Sequence, residues 1–521
     1  MNNVRVRIAP SPTGALHIGT ARTALFNYLF AKRHGGSFVL RIEDTDRERS
    51  DPKFEKNIFE GLRWLGITAD ESPETGGPHA PYRQSERTAS YKKYIEQLLD
   101  EGKAFYCFHS EQELALEAEE QMSKKLPLFH LCSFRDIAQH QAEVKKAAGH
   151  NSIIRFKIPT EPSNHQITFQ DLIRNQAHFF TGLLGDFSIA KNPETPLYNF
   201  AVVIDDYEMK ITHVIRGEDH IPNTPKQLLI TEALGWTTKN ELGDIVPPWR
   251  YAHLPLILGP DRSKLSKRHG ATSVDEYRKQ GYLPEALFNY MALVGWNPGT
   301  DKEIFSKEEL EKEFSIEKIQ LSGGIFDIKK LDWMNGEYIR KKSPTELLEL
   351  CKPYLEDFLS AGGGSVSPGR TGTGKAGGQF SDEYLKKIVA LEQPRLKKLS
   401  EIGERVDYFF NDPKYDKELL RWKKMNDSEI IDSLDKSDKI ISNISTDSAS
   451  ASRKQPLFSK QDIEKVFFDA IGEGDKGEIL WPLRVALSGK KASPGPFEIM
   501  EILGKDRVLK RVRAAKRIVT G

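Results

Sequence analysis

The spacing of hydrophobic positions near the start of the chain predicts a strand, a helix and a second strand. Residues 4–9 form a short apolar segment typical of a buried strand, and the Pro and Gly of residues 10–14 force a loop after it. Apolar side chains then recur at helical spacing through residues 18–33, and Gly35 ends this helix. Residues 37–42 again have the composition of a strand. This order predicts a βαβ unit, and therefore an α/β fold of the doubly wound type with a parallel sheet.

The middle of the chain has the pattern of an insertion into that sheet. Residues 106–195 contain a charged helical stretch at 111–125 and strand-like residues at 153–158. Strand patterns resume at residues 200–205 and 211–216. We therefore expect an inserted domain after which the parallel sheet continues.

Beyond residue 331 the apolar spacing is mostly helical, which predicts an all-α region over residues 341–521. Two segments rich in small or polar residues interrupt this spacing. Residues 360–379 are dominated by Gly, Ser and Thr, which is typical of a flexible surface insertion. Residues 435–453 are rich in Ser, Asp and Lys, which predicts another loop.

The composition is that of an ordinary globular protein, with 38% hydrophobic and 29% charged residues, and a chain of 521 residues forms several domains. The 76 Lys and Arg nearly cancel the 75 Asp and Glu, so any basic surface for a nucleic acid must be local. Three cysteines cannot build a disulfide framework, the first residues lack the apolar core of a signal peptide, and no apolar run could span a bilayer. We therefore expect a cytoplasmic protein without membrane contact.

A first candidate for chemistry is the segment of residues 7–20, where a strand leads into a helix. The start of a helix presents free N–H groups and a positive dipole end, which bind phosphate. Gly19 would let the backbone approach a nucleotide closely, and His17 could donate a hydrogen bond to a phosphate oxygen as charge develops. Taken alone, this His-x-Gly is more typical of a plain turn with a capping histidine.

A second candidate is Lys264-Leu265-Ser266-Lys267-Arg268, which follows a Gly-Pro-Asp turn. Two lysines three positions apart can clamp a triphosphate or a leaving pyrophosphate. For these five residues alone, a solvated basic loop is the better interpretation.

Together the two segments change the interpretation. Residues 17–20 and 264–268 resemble the two signature sequences of class I aminoacyl-tRNA synthetases. Further segments are similar to the glutamyl-tRNA synthetase family of bacterial type, namely residues 7–14, 41–46, 81–87, 214–220 and 333–339. The resemblance runs in order from Arg7 to about Arg340, with a weaker similarity at residues 481–504.

The resemblance implies a two-step reaction with ATP, Mg²⁺, L-glutamate and tRNA(Glu), in which bound tRNA is needed for the first step. The glutamate α-carboxylate attacks the α-phosphate of ATP, and a ribose hydroxyl of the tRNA then attacks the glutamyl-adenylate. The resemblance further implies that the protein is a monomer. The implied domains are a Rossmann-like catalytic domain (1–105 and 196–260), an inserted acceptor-stem-binding domain (106–195), a stem-contact region (261–340) and an anticodon-binding region (341–521).

The resemblance also implies roles for individual residues. The catalytic residues are His17, Gly19, Thr20, Lys264 and Lys267. The ATP-binding residues are Ser11, His17, Gly19, Thr20, Asp219, Ile257 and Lys267, and the glutamate-binding residues are Arg7, Ala9, Ser11, Glu43, Tyr198 and Arg216. Charge supports the last set, because glutamate has two carboxylates and one ammonium group, so that Arg7 and Arg216 are the cations and Glu43 is the anion.

A weaker candidate is the set Cys107, His109, His130 and Cys132, since some relatives bind structural zinc near this position. Two Cys and two His can make a tetrahedral site. The set departs from the family pattern, because His109 replaces a common cysteine and no histidine follows Cys132. A buried thiol pair with incidental histidines is therefore the favoured interpretation, and zinc is not expected.

Two other segments have patterns that can bind phosphate groups. The segment 369–375 imitates a phosphate-binding P-loop, but Ala376 lacks the hydroxyl that binds magnesium and no strand precedes it, so we reject it. The basic tail offers candidates for tRNA phosphates, against the ordinary alternative of a solvated helix face: Arg507, Lys510, Arg511, Arg513, Lys516 and Arg517.

Three rival functions remain to be compared. A glutamyl-queuosine tRNA synthetase would lack the anticodon-binding half, and a glutaminyl-tRNA synthetase would have β-barrel character in its C-terminal part. A non-catalytic RNA-binding paralogue would have lost His17, Lys267 or Arg216, which are all present. Whether tRNA(Gln) is a second substrate stays open at this stage.

Overall fold

A computed structural model of the chain describes residues 4–126, 128–159, 166–239, 245–363, 380–444 and 458–521. The chain divides into two compact units. The first consists of Met1–Arg278 with Pro284–Leu331, and the second of Lys279–Leu283 with Asp332–Gly521. None of the helices in the described ranges is long and apolar enough to cross a membrane.

The first unit is built on a six-stranded sheet with the strand order β2-β1-β9-β12-β5-β6. Its strands are β1 (Arg5–Ile8), β2 (Ser37–Leu40), β5 (Gln166–Asp171), β6 (Asn175–Phe180), β9 (His213–Gly217) and β12 (Arg250–Leu254). All neighbours are parallel except β5 and β6, which are antiparallel. The carboxyl ends of β1, β9 and β12 therefore meet at one edge of the sheet.

A second sheet of four antiparallel strands comes from the middle of the chain. It contains β3 (Ala104–Cys107), β4 (Ile153–Phe156), β7 (Phe187–Asn192) and β8 (Thr195–Pro196). Two short pairs complete the strands, β10 (Thr238–Lys239) with β11 (Ile245–Val246) and β13 (Ile257–Leu258) with β14 (Gly324–Ile325). Strands β5 and β6 lie within the segment predicted as an insertion, yet they pair with the main sheet beside β12.

Helices pack around these sheets. They are α1 (Ile18–Arg33), α2 (Pro52–Trp64), α3 (Thr88–Asp100), α4 (Glu111–Ser123), α5 (Gln139–Ala147), α6 (Tyr198–Glu208), α7 (Thr224–Ala233), α8 (Val274–Lys279), α9 (Pro284–Leu293) and α10 (Lys307–Glu313). Helix α11 (Ile328–Arg340) begins at the end of the first unit and belongs mostly to the second. Helix α1 is buried along most of its length and packs on β1, β2 and β9, so the predicted βαβ unit is confirmed.

The second unit is helical throughout its described regular elements, as predicted. It contains α12 (Pro344–Phe358), α13 (Asp382–Glu392), α14 (Ile402–Val406), α15 (Asp427–Asn443), α16 (Lys460–Ile471), α17 (Lys476–Ser488), α18 (Pro496–Leu503) and α19 (Lys505–Thr520). Helices α15, α17 and α19 pack against one another, and the buried Ile441, Leu483 and Val508 are among their core side chains.

Two predicted elements are wrong. Residues 200–205 were predicted as a strand but lie in α6, where residues 200–206 are all buried. A helix buried on every side loses its periodicity, and its apolar run cannot then be told from a strand. The loop predicted at 435–453 is helical up to Asn443, because Leu434, Ile440 and Ile441 recur at helical spacing and are buried.

Some predictions fall on residues that the structure does not describe. They are the part of the Gly-rich segment from 364 to 379, the P-loop imitation within it, and residues 445–453 of the predicted loop. The remaining predicted elements at 111–125, 153–158 and 211–216 are confirmed as α4, β4 and β9.

Candidate active site

A cavity of about 730 Å³ opens at the carboxyl ends of the central strands of the main sheet. Nearly all predicted site residues line it: Arg7, Ala9, Ser11, His17, Gly19, Thr20, Glu43, Tyr198, Arg216, Asp219, Ile257 and Lys264. Lys267 is the exception, because its side chain is exposed on the loop and does not line the cavity. The structure therefore brings together residues from several separate segments of the sequence.

Backbone hydrogen bonds tie the first signature segment to residues that follow the second. The N–H of Ile18 donates to the carbonyl of Thr272 at 2.8 Å, and the N–H of Val274 donates to the carbonyl of Leu16 at 3.0 Å. Within the second signature, the N–H of Leu265 donates to the carbonyl of Ile257 at 2.9 Å. Both segments are therefore anchored by main-chain contacts beside the cavity that they line.

His17 is the residue that caps α1. Its Nδ1 accepts a hydrogen bond from the N–H of Gly19 at 3.0 Å. Burial lowers the pKa of His17, and the nearby Lys264 cation lowers it further. A neutral imidazole whose Nδ1 accepts must carry its proton on Nε2. His17 can therefore donate from Nε2 to a ligand at the start of the helix.

One wall of the cavity carries a buried network of alternating charges. Arg7 donates to both oxygens of Asp206, at 3.1 and 3.2 Å, and Arg41 donates to Asp206 at 2.8 Å and to Glu43 at 3.1 Å. Burial acts to raise the pKa of Asp206, but Arg7 and Arg41 outweigh it and the pKa is lowered. For Glu43, burial prevails over the same two arginines and raises the pKa.

Arg216 lines the same cavity but has a different environment. Its guanidinium donates to Thr224 Oγ1 at 2.7 Å, to Gln227 Oε1 at 2.9 Å and to His253 Nε2 at 3.2 Å, and it lies 5.3 Å from the ring centre of Tyr251. All of these partners are uncharged. Within the described ranges no carboxylate forms an ion pair with Arg216, so its positive charge stays available at the cavity.

Two further contacts complete the lining. The hydroxyl of Tyr198 lies 3.0 Å from Nδ1 of His220, and burial raises the pKa of Tyr198, which keeps the phenol neutral. Lys264 Nζ donates to Asp219 Oδ2 at 3.1 Å. Burial opposes ionisation of Asp219, but Lys264 and His220 prevail and its pKa is lowered.

Sequence reasoning missed several residues of this site. Arg41 lies inside a segment already recognised as family-like, but it was given no role. Asp206 was hidden by the wrong strand prediction, since on a helix it follows Tyr198 by two turns and faces the same side. His253 and Gln227 had no distinguishing pattern, because only the pairing of β9 with β12 and the packing of α7 bring them to Arg216.

The four Cys and His side chains of the middle segment lie together, with their ligand atoms within 4.8 Å of one another. Cys107 Sγ is 3.5 Å from His109 Nδ1 and 3.6 Å from His130 Nε2, and His109 Nδ1 is 3.6 Å from Cys132 Sγ and 3.2 Å from His130 Nε2. Zn–S and Zn–N bonds of about 2.3 and 2.0–2.1 Å in a tetrahedron require S–N and N–N separations of about 3.6 and 3.3 Å.

The donor set and its spacing therefore fit a tetrahedral zinc ion. The carboxylate of Glu117 contacts His130 Nδ1 and accepts from the N–H of Leu131 at 2.9 Å, which orients the imidazole as a metal-ligand partner does. Both imidazole rings face the sulfur atoms, a geometry that favours a metal site over the thiol pair expected from the sequence.

The basic tail is largely used inside its own unit. Arg511 is buried and donates to the carbonyls of Leu487, Tyr408 and Asn411. The neighbouring cations pair with acidic or carbonyl groups: Lys510 with Asp412, Arg513 with Asp438, Lys516 with Asp435 and Arg507 with Phe409. The expectation that Arg511 faces tRNA phosphates is therefore wrong, since its guanidinium is out of reach of solvent.

Two family models match the chain. Residues 3–333 match the catalytic domain of class I tRNA synthetases of the E and Q type, and residues 346–516 match an anticodon-binding domain. The parallel sheet and the two signature segments at its edge agree with this assignment. The fold and the cavity thus define a class I tRNA synthetase.

Individual relatives narrow the assignment. Glutamate–tRNA ligase 1 of Caldicellulosiruptor saccharolyticus is 44% identical over 520 residues, which cover 98% of this chain and 99% of that protein. Solved structures of a glutamate–tRNA synthetase from Elizabethkingia anophelis and of a glutamate tRNA ligase from Elizabethkingia meningosepticum in complex with its amino acid are similar, with TM-scores of 0.82 and 0.81. Each is 33% identical and covers 99% of this chain, which covers 100% and 99% of them.

The chain belongs to the glutamate–tRNA ligase family. The resemblance seen in the sequence is therefore confirmed, and the helical second unit argues against the glutaminyl type with a β-barrel C-terminal part.

Proposed function

We propose that this protein joins L-glutamate to tRNA(Glu) in an ATP-dependent reaction through a glutamyl-adenylate, releasing pyrophosphate and AMP. The observation that carries the proposal is the cavity, which is lined both by His17 and Lys264 of the two signature segments and by the unneutralised Arg216. A phosphate-binding end and a carboxylate-binding end in one cavity suit an acid that is activated by a nucleotide.

The charges of the lining residues indicate where the amino acid would bind. Arg216 would receive the γ-carboxylate in a planar fork, with the neutral Tyr198 hydroxyl beside it. Glu43 would face the ammonium group, whose positive charge favours ionisation of a carboxyl whose pKa is otherwise raised. Arg7, Ala9 and Ser11 would contact the α-carboxylate region, and Asp206 holds Arg7 in place there.

The nucleotide end uses the start of α1. His17 would donate from Nε2 to the phosphate as the α-carboxylate attacks it, with the N–H groups near Gly19 and Thr20 also directed at the phosphates. Lys264 and Lys267 would balance charge on the leaving pyrophosphate, and Ser11, Asp219 and Ile257 would contact the nucleoside. Mg²⁺ would accompany ATP and offset the charge of the triphosphate.

The tRNA is assigned to the rest of the chain. Residues 106–195 would bind the acceptor stem, 261–340 would contact the stem, and the helical region 341–521 would contact the anticodon. A ribose hydroxyl of the terminal adenosine then attacks the adenylate carbonyl carbon, and AMP leaves. Charging of tRNA(Gln), a monomeric state and a cytoplasmic location stay predictions.

We further propose that Cys107, His109, His130 and Cys132 hold a structural zinc ion. The ligand separations and the support of His130 by Glu117 carry this proposal. A closed tetrahedral set of four protein ligands leaves no open position, so the ion would hold β3 to the 130–132 segment and would take no part in catalysis.

The test is tRNA-dependent exchange of pyrophosphate into ATP with glutamate, followed by charging of purified tRNA(Glu) and tRNA(Gln). We expect exchange with glutamate, little with glutamine, and a glutamyl ester at the 3′ end of tRNA(Glu). A product attached to an anticodon base would identify the queuosine-type activity instead. Binding of tRNA without exchange would identify a non-catalytic paralogue.

A further inference from the structure

His253 lies directly behind Arg216 and away from the cavity. The two residues are register partners on β12 and β9, and His253 is completely buried. His253 Nε2 lies 3.2 Å from Arg216 Nε, and His253 Nδ1 lies 2.6 Å from Asp171 Oδ2. Neither His253 nor Asp171 lines the cavity. The contacts therefore run in one line from the end of β5, through β12, to the guanidinium of Arg216.

Hydrogen-bond donors and acceptors allow one protonation state of this histidine. Guanidinium N–H groups only donate, so His253 Nε2 must be the acceptor and carries no proton. A carboxylate only accepts, so His253 Nδ1 must carry the proton. Burial lowers the pKa of His253 and agrees with a neutral ring, although Asp171 opposes that shift. The ring is thus a neutral imidazole in a single tautomer.

Asp171 is itself fixed by backbone groups. Its Oδ1 accepts from the N–H of Ile173 and of Arg174, both at 2.9 Å, and its Oδ2 accepts from the N–H of His253 at 3.1 Å. Every group that faces this carboxylate is a donor. The orientation of the carboxylate, and with it the tautomer of His253, is therefore set by main-chain N–H groups of the turn after β5 and of β12.

We propose that Asp171 and His253 are positioning residues that set the angle at which Arg216 meets the substrate carboxylate and so determine the affinity for glutamate. This inference rests on the proposed role of Arg216. A neutral acceptor at Nε holds the guanidinium without cancelling its charge, whereas a carboxylate in that place would offset it, as Asp206 does for Arg7. The whole charge of Arg216 is thereby kept for the ligand.

Asp171→Asn tests the tautomer without changing shape. An amide NH₂ facing His253 favours the tautomer with the proton on Nε2, which then points a donor at the Arg216 Nε–H. His253→Gln keeps an acceptor near Nε2 that needs no partner at Asp171, whereas His253→Phe removes the acceptor. The full-length chain is used, with kcat and KM measured for glutamate and for ATP at saturating tRNA.

We expect Asp171→Asn and His253→Phe to raise KM for glutamate about tenfold or more and to leave KM for ATP within about twofold, while His253→Gln restores most of the loss. In the His253→Gln background, Asp171→Asn should add less than about a twofold change, since no tautomer is left to control. The matched control is His213→Gln at the amino end of β9, a histidine that contacts Thr212 at 2.9 Å, does not line the cavity and should alter neither KM.

The alternative is that Asp171 only stabilises the fold. In that case Asp171→Asn would raise both KM values together, or would raise KM for glutamate by the same factor in both backgrounds, and either result overturns the inference. If Asp171→Asn does not fold, the comparison of His253→Phe with His253→Gln decides the question alone. A wild-type chain that fails to charge glutamate would contradict the proposed function, whereas unchanged variants of an active chain contradict only this inference.

Discussion

Arg7 and Asp206 form a buried pair in which the guanidinium donates to both carboxylate oxygens, at 3.1 and 3.2 Å. Arg216, which lines the same cavity, has only neutral partners among the described residues. The two arginines that the sequence analysis treated as equivalent cations therefore differ, since one is offset by the protein and the other is not. Selectivity for a second carboxylate on the substrate should depend on Arg216.

The first prediction tests this selectivity. Arg216→Gln should lower kcat/KM for glutamate by a factor that corresponds to about 2–5 kcal/mol of lost transition-state binding. This is the usual cost of losing one partner of a buried charge contact. Glutamine has no charge at its side-chain end and should lose much less, so the preference for glutamate should narrow. The measurement is kcat/KM for both amino acids at saturating ATP and tRNA.

Arg250→Gln is the matched control, because Arg250 is exposed at the start of the neighbouring strand β12. It should leave both amino acids unaffected. Equal proportional losses for glutamate and glutamine in Arg216→Gln would assign the selectivity to another residue.

The second prediction concerns the lysines of the second signature. Lys264 lines the cavity and Lys267 does not, so Lys267 must approach the phosphates when ATP is bound if the family role holds. Lys267→Ala should lower adenylate formation about 100-fold with little change in tRNA affinity, because a charge contact to the leaving pyrophosphate is lost. Pyrophosphate exchange and tRNA binding are measured in parallel.

Lys56→Ala provides a control with the same change of charge, since Lys56 pairs with Glu60 on the exposed surface of α2. Unchanged exchange in Lys267→Ala would leave Lys264 as the lysine that acts on the phosphates.

The third prediction concerns a conflict between stability and binding at Glu43. Burial raises the pKa of Glu43 above its unfolded value, so folding favours the protonated form. The contribution of Glu43 to the free energy of unfolding is therefore present below the pKa that Glu43 has in the unfolded chain. It is lost as the pH rises through the pKa that Glu43 has in the folded protein. Glu43→Gln should raise the midpoint of thermal unfolding at neutral pH and raise KM for glutamate about 30-fold or more, because the ammonium partner is lost.

Glu71→Gln is the control, and its effect on the unfolding midpoint should have the opposite sign. Burial opposes the ionisation of Glu71, but Arg5 and Tyr82 prevail and lower its pKa, so its contribution is present above the unfolded pKa and is lost as the pH falls through the folded pKa. This variant should lower the unfolding midpoint at neutral pH. A Glu43→Gln protein that is less stable than wild type at neutral pH would contradict the assignment.

The fourth prediction concerns zinc. The purified chain should contain about one zinc ion, and a strong chelator should lower the unfolding midpoint of the protein, because ligand binding to the native state stabilises it. Cys107→Ser and His109→Ala should each lose the ion. The measurement is metal content by mass spectrometry together with thermal unfolding before and after chelation.

Cys351→Ser is the control, because Cys351 is a buried cysteine of α12 outside the cluster. It should keep its zinc whatever its effect on stability. A metal-free protein that takes up no zinc on titration would restore the original expectation that zinc does not bind.

Elements with a local pattern were predictable from the sequence. The helix over residues 18–33 was predictable although residues 24–31 are all buried, because Leu25, Phe26, Leu29 and Phe30 recur at helical spacing in a segment too long for a strand. The apolar run at 200–204 is as short as a strand and is buried on every side, so no periodicity distinguished it from one.

The sequence by itself determined the class of protein and about half of the residues that line the cavity, because the signature segments are contiguous and each residue type is tied to a chemical task. Only the tertiary structure decided which charged side chains are paired with an opposite charge and which have neutral partners. Asp206, His253 and Asp171 lie far along the chain from the arginines that they hold. The pairing of parallel strands brings His253 and Asp171 to Arg216, and the placement of α6 brings Asp206 to Arg7. The same reason applies to the Cys and His cluster, where ligand geometry depends on the fold and not on spacing.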